Sequence, residues 1–108
     1  MNFGILLTED AARDLEEIFA YVAAHDSPAA ALHVLDGIEK AAARLAEFPH
    51  RGGCPRELLS LGIREYRETL FKPYRIIYRV SGTAVHVFVI ADGRRDMQTL
   101  LARRLLGP

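Results

Sequence analysis

The chain has 108 residues and a formal net charge of zero, and 50% of its residues are hydrophobic. This length predicts one domain over residues 1–108. No apolar run approaches the roughly 20 residues of a membrane span, and no signal peptide is evident, so no membrane contact and a cytoplasmic location are expected. The only cysteine, Cys54, excludes an internal disulfide and a cysteine-rich metal site. We therefore expect no metal and no cofactor.

The first half of the chain predicts a short strand and two helices. The apolar run at residues 3–7 favours a strand, and a helix follows whose apolar positions recur every three or four residues until His25. Ser27 and Pro28 suit the cap and first turn of a second helix, which continues to residue 48. Two amphipathic helices joined by so short a break predict an antiparallel helical hairpin.

The second half predicts three strands and a closing helix. A turn-rich loop with one helical turn comes first, at residues 49–62, and three strands follow at 63–70, 74–80 and 83–91. Asp96 then caps a helix with a leucine stripe. The order β-α-α-β-β-β-α separates helices from strands. It predicts an α+β fold in which the helical hairpin packs on a mainly antiparallel four-stranded sheet.

The zero net charge hides an asymmetry between the two halves. Residues 1–48 carry three cations and nine carboxylates, a balance of −6, whereas residues 49–108 carry eleven cations and five carboxylates, a balance of +6. Such an asymmetry indicates an acidic or polyanionic partner for the basic half. The alternative is that folding brings the two halves together and their charges pair on the surface.

Basic residues in the last strands and turns form the candidate binding site. Arginine is the cation best shaped to grip phosphate and carboxylate groups. The predicted binding residues are Arg67, Lys72, Arg75, Arg79, Arg94 and Arg95. Alternation places Arg75 and Arg79 on one face of their strand. The alternative is a solvated strand face whose charges only oppose aggregation.

His86 is the candidate for acid–base chemistry, because histidine titrates near neutrality. Alternation, however, places His86 beside Phe88 and Ile90 on one strand face and Val85, Val87 and Val89 on the other. A half-buried packing role is therefore the favoured interpretation.

Three segments, in this order, resemble the RelE/ParE-type toxins of bacterial toxin–antitoxin systems. They are residues 7–21, residues 74–80, and the Gly-Arg-Arg-Asp sequence at 93–96. The resemblance covers nearly the whole chain and implies the fold of that family. It also implies growth inhibition, a role in plasmid stabilisation, and a hetero-oligomer with a cognate antitoxin whose disordered tail folds along the toxin.

The resemblance implies one of two activities. RelE-like members cut messenger RNA on the ribosome, using basic residues and usually a Tyr or His near the start of the last helix. ParE-like members poison DNA gyrase. By resemblance, Arg75 and Arg95 match basic positions of the ribonuclease branch. His86, named above from its own chemistry, would be the candidate acid or base of a ribonuclease.

Departures from the ribonuclease branch favour the ParE-like branch. Residues 97–106 contain no Tyr or His, and Glu65 and Glu68 stand where RelE-like members tend to have lysines. The ending at 95–105 is more similar to ParE. A toxin that inhibits gyrase by binding, without enzymatic activity, is the favoured prediction. A ribosome-dependent mRNA endoribonuclease and a degenerate, non-toxic antitoxin-binding module are the alternatives.

Overall fold

The structure, a computed structural model, describes residues 2–107. The four strands are β1 (Gly4–Leu7), β2 (Arg67–Phe71), β3 (Tyr74–Ser81) and β4 (Ala84–Asp92). The helices are α1 (Glu9–His25), α2 (Pro28–Ala43), α3 (Arg56–Leu59) and α4 (Met97–Leu101). A 3-10 turn at Arg44–Ala46 extends α2, and a π-helical turn at Ala102–Leu106 extends α4. The predicted order of elements is confirmed, although β2 begins four residues later than predicted.

Side-chain caps begin the three longer helical segments. The Thr8 hydroxyl accepts a hydrogen bond from the Ala11 N–H at 3.1 Å, and the Ser27 hydroxyl accepts one from Ala30 at 3.0 Å. The Asp96 carboxylate accepts one from the Thr99 N–H at 3.1 Å. Each cap satisfies a backbone donor that the first helical turn leaves free, so these residues fix where the helices start.

The four strands form one mixed sheet in the order β1-β4-β3-β2. The β2–β3 and β3–β4 pairs are antiparallel, as predicted, whereas β1 runs parallel to β4 at one edge. The parallel pair arises because the helical hairpin and two strands separate β1 from β4 in the chain. Such a long connection can return the chain to either orientation.

Apolar layers cover both faces of the sheet. On the first face, residues of α1 and α2 such as Ala11 and Ile38 pack on Ile76, Tyr78 and Val87. On the second face, a separate layer is formed by Leu58, Tyr66, Ile77, Val89, Ala91, Met97, Leu100 and Leu101. The closing helix and α3 therefore cover the face that the helical hairpin leaves open.

A β-bulge at Phe88 changes which residues of β4 face the hairpin. Tyr78 pairs with Val87 and Ile77 pairs with Val89, so Phe88 is an extra residue in β4. Val89 consequently joins the second layer, and Ile90 joins the first. The predicted face of Val85, Val87 and Val89 is wrong beyond Val87, since strict alternation cannot anticipate an inserted residue.

No helix within residues 2–107 is both long and apolar enough to cross a membrane.

Candidate functional site

The guanidinium group of Arg75 lies between two carboxylates. Its Nη1 and Nη2 atoms donate to the two oxygens of Glu57 at 2.9 and 2.8 Å, and its Nε atom donates to Glu68 at 2.7 Å. Only 12% of the Arg75 side chain is exposed, against 9% for Glu57 and 23% for Glu68. The hydrogen bonds of this pair lower the pKa of the Glu57 carboxyl group and raise the pKa of Arg75. The groups are therefore charged at neutral pH.

Different elements supply the two carboxylates. Glu68 pairs with Ile77 across β2 and β3, which makes it the diagonal neighbour of Arg75 on one face of the sheet. Glu57 lies in α3, whose backbone is also held by α4, because the Gln98 side chain donates to the Glu57 carbonyl at 3.3 Å. Since buried charges persist only when they are paired, this network fixes α3 against the sheet.

The pairing leaves little of Arg75 for a phosphate. The bidentate fork that matches phosphate geometry is already occupied by Glu57. The exposed Arg56 side chain also lies 3.7 Å from the Glu57 carboxylate, so the cluster of two cations and two anions has a formal charge of zero and does not attract a polyanion. Arg75 thus stabilises the fold in this structure.

Two other predicted binding residues also have internal partners. The Nη1 atom of Arg67 donates to the carbonyl oxygens of His50 and Gly52, at 3.0 and 2.8 Å, and so holds the loop before β2. Arg94 forms a bidentate pair with Asp92, the shortest contact being 2.6 Å, although 78% of its side chain is exposed. Arg94 can exchange Asp92 for another acceptor at small cost, since exposed pairs contribute little.

The remaining three predicted residues are exposed cations. Lys72, Arg79 and Arg95 form no ion pair within residues 2–107. Lys72 and Arg95 lie at the same end of the sheet, because the Gly93 N–H donates to the Pro73 carbonyl at 2.8 Å. Arg79 pairs with His86 at the opposite end of the β3–β4 hairpin. The six residues therefore do not form a single patch.

The three ribonuclease candidates are also separated. Arg75 pairs with Ala91, whereas His86 lies five residues earlier in β4. At about 3.3 Å per residue, this places His86 roughly 16 Å from Arg75 along the strand. Arg95 lies in the turn beyond the other end of β4. The fold does not bring the three residues together around one phosphate.

An ion pair between α1 and the turn that extends α4 was not predicted. Arg104 donates to both carboxylate oxygens of Asp14, at 2.9 and 3.0 Å, and to the Phe88 carbonyl at 2.9 Å. Asp14 also accepts a hydrogen bond from the Ile90 N–H at 3.0 Å. The pair thus satisfies backbone groups of β4 beyond the end of β1. Ninety residues separate Asp14 from Arg104, so no local sequence pattern could have indicated their contact.

A cleft of about 500 Å³ opens beside this part of β4. Its walls include Tyr21 of α1, Tyr74 of β3, and Asp92, Arg94 and Arg95 at the end of β4. The exposed cations Lys72 and Arg95 lie near this cleft rather than in the middle of the sheet. We call the surface formed by Lys72, Arg94 and Arg95 the basic end.

A family profile described as the ParE toxin of the type II toxin–antitoxin system parDE matches residues 5–97. The toxin ParE3 of Caulobacter vibrioides is 30% identical over 100 residues, which cover 93% of this chain and 96% of that protein. The chain therefore belongs to the ParE toxin family.

Solved structures of toxin–antitoxin systems share the fold. A chain of the chromosomal ParDE system of P. aeruginosa matches with a TM-score of 0.70 at 20% identity, over 83% of this chain and 95% of that one. A chain of the RelBE2 toxin–antitoxin complex of Mycobacterium tuberculosis matches with a TM-score of 0.61 at 22% identity, over 85% and 99% of the two chains. The predicted RelE/ParE resemblance is confirmed.

Proposed function

We propose that this chain inhibits DNA gyrase by binding to it, without chemistry of its own, and that a cognate antitoxin neutralises it in the cytoplasm. One observation carries the proposal. Of the two arginines that match the ribonuclease branch, Arg75 has its guanidinium group occupied by Glu57 and Glu68, and Arg95 lies in the turn beyond the end of β4. A nuclease needs such a group free to stabilise charge in the transition state. A toxin that acts by binding has no such requirement.

Membership of the ParE family supports the antitoxin part of the proposal. The relatives in solved structures come from systems that pair a toxin with an antitoxin. Several exposed cations, among them Lys72, Arg79 and Arg95, form no ion pair within residues 2–107, which suits an acidic partner. We expect a hetero-oligomer of toxin and antitoxin.

The basic end is the proposed contact surface for gyrase. Arg95 and Lys72 are exposed, and Arg94 is held only by the exposed pair with Asp92. The neighbouring cleft adds the Tyr21 side chain, which is 64% exposed. Exposed aromatic and arginine side chains are enriched among residues that anchor protein interfaces.

Supercoiling of relaxed plasmid by purified gyrase tests the proposal. We expect dose-dependent inhibition or trapped cleavage complexes with the wild-type chain. Messenger RNA from cells that express the chain without its antitoxin should carry no new cuts at codon-positioned sites. Undiminished supercoiling, or new cuts at such sites, would contradict the proposal.

A further inference from the structure

A groove of about 350 Å³ lies beside β2, which is the edge strand at the opposite end of the strand order from β1. One wall is the end of α2 and the turn that extends it, with Arg44, Leu45 and Phe48, and the other is β2 at Leu70. Arg51 also lines the groove, and its guanidinium carbon lies 5.3 Å from the centre of the Phe48 ring. We call this feature the β2-edge groove.

Part of the β2 edge is covered and part is open. The Glu68 N–H points away from β3 and donates to the Gly53 carbonyl at 2.9 Å. Gly52 permits this close approach, because a Cβ there would overlap the Glu68 carbonyl oxygen. Alternate residues of a strand point to the same edge, so the N–H and C=O of Leu70 also point outward. Leu70 makes no backbone hydrogen bond outside the sheet within residues 2–107.

The groove combines this open edge with exposed apolar and cationic side chains. Phe48 is 52% exposed and Leu70 is 48% exposed. Arg44 and Arg51 are exposed and form no ion pair with any described carboxylate. An open strand edge with apolar contacts is a template for an added strand. The unpaired guanidinium groups of Arg44 and Arg51 beside the groove favour carboxylates in that strand.

We propose that the β2-edge groove binds an extended, acidic segment of the antitoxin, which joins the sheet as a fifth strand beside β2. Apolar side chains of the segment contact Phe48 and Leu70, and its carboxylates bind Arg44 and Arg51. The Leu70 N–H and C=O pair with the backbone of the segment. This inference rests on the antitoxin part of the proposed function and is independent of gyrase as the target.

Binding of the protein encoded by the reading frame next to this one tests the inference. The variant Arg44→Glu/Arg51→Glu should bind at least tenfold more weakly than the wild type, with the larger loss at low salt. Arg13→Glu/Arg103→Glu makes the same change of charge away from the groove, and it should bind within about threefold of the wild type. Equal losses in the two double variants would overturn the inference.

The backbone contact has a separate readout. Binding should slow hydrogen exchange of the Leu70 amide at least tenfold. Leu70→Pro removes the N–H at an edge position, which strands tolerate, and should weaken binding more than Leu70→Ala, which keeps it. Circular dichroism verifies that both variants fold. An unprotected Leu70 amide in the complex, or equal affinity of the two variants, would overturn the proposed strand addition.

The outcomes separate this inference from the proposed function. If the wild type binds the neighbouring protein and the groove variants bind it equally well, the groove is not the binding site, but the proposal that this protein is the antitoxin stands. If the wild type does not bind it, the antitoxin part of the proposed function fails, and the inference fails with it. Leu70 protection that appears without the partner and grows with toxin concentration would assign the edge to a second copy of this chain instead.

Discussion

The guanidinium group of Arg75 is largely buried and paired, whereas those of Arg44 and Arg51 belong to exposed side chains that form no ion pair within residues 2–107. Arg75 is 12% exposed and contacts two carboxylates, whereas Arg44 and Arg51 are exposed beside an open strand edge. Folding brings Glu57 and Glu68 to the arginine in β3, but in the part of the chain that the structure describes neither Arg44 nor Arg51 forms an ion pair. The position of an arginine on a strand therefore does not indicate that it can bind a partner. The nearest carboxylates of the folded chain decide that.

The largest expected effect comes from removing the paired arginine. Arg75→Ala should lower the free energy of unfolding by about 3 kcal/mol, because it leaves the Glu57 carboxylate buried without its cation. Urea denaturation measures the loss. Arg79→Ala, an exposed change on the same strand, should cost under about 0.5 kcal/mol. Similar losses in the two variants would show that Arg75 is no more structural than its exposed neighbour.

The pair of Asp14 and Arg104 should behave as Arg75 does, with a smaller effect. Arg104→Ala should lower the free energy of unfolding by about 2 kcal/mol, because it removes charge-assisted hydrogen bonds to Asp14 and the Phe88 carbonyl. Arg103→Ala is the control, since Arg103 is exposed in the same turn of helix. Unfolding at the same urea concentration in both variants would contradict this role.

Acid should weaken the Arg75 network. The hydrogen bonds that Arg75 donates to the Glu57 carboxylate keep the pKa of Glu57 below the ordinary value of 4.5. The stabilisation is therefore complete above pH 4.5 and is lost as the pH falls through the lower pKa of the folded state. Glu57→Gln should be less stable than the wild type at pH 7, and this difference should shrink towards pH 3. A difference that is constant with pH would show that the Glu57 charge contributes nothing.

Loss of the Tyr78 hydroxyl group should reduce stability less than loss of either paired arginine. This hydroxyl group accepts a hydrogen bond from the Gly52 N–H at 3.2 Å and so holds the loop that borders the β2-edge groove. Tyr78→Phe should cost about 1 kcal/mol. Tyr66→Phe should cost less, since the Tyr66 hydroxyl makes no hydrogen bond within residues 2–107. Equal losses of stability in Tyr78→Phe and Tyr66→Phe, measured by thermal unfolding, would show that the Tyr78 hydroxyl group does not stabilise this loop.

Local patterns predicted much of the fold and less of the candidate site. Thr8, Ser27 and Asp96 cap helices because their side chains bond to backbone groups three residues away, which a sequence displays. The bulge at Phe88 and the parallel pairing of β1 depend on distant strands. The pairing of Arg75 also depends on residues that are distant in the sequence. Its partner Glu57 is 18 residues away in the sequence, and only the folded chain brings them together.

The groove residues were missed for a related reason. Arg44 belongs to the acidic half of the chain, and Arg51 lies in the turn-rich loop at residues 49–62, so neither belongs to the last strands and turns that supplied the candidate binding site. Their proximity to Leu70 arises because α2 packs along β2. The basic half was predicted to bind the partner, whereas the cations that form no ion pair within residues 2–107 lie in both halves.

Gyrase supercoiling with two charge-reversed variants tests the account most directly. We predict that the wild type inhibits supercoiling, that Lys72→Glu/Arg95→Glu at the basic end abolishes this inhibition, and that Arg44→Glu/Arg51→Glu in the groove preserves it. All three chains should first be shown to be folded by circular dichroism. Loss of inhibition in the groove variant with full inhibition by the basic-end variant would contradict the account, as would a wild-type chain that leaves supercoiling unchanged.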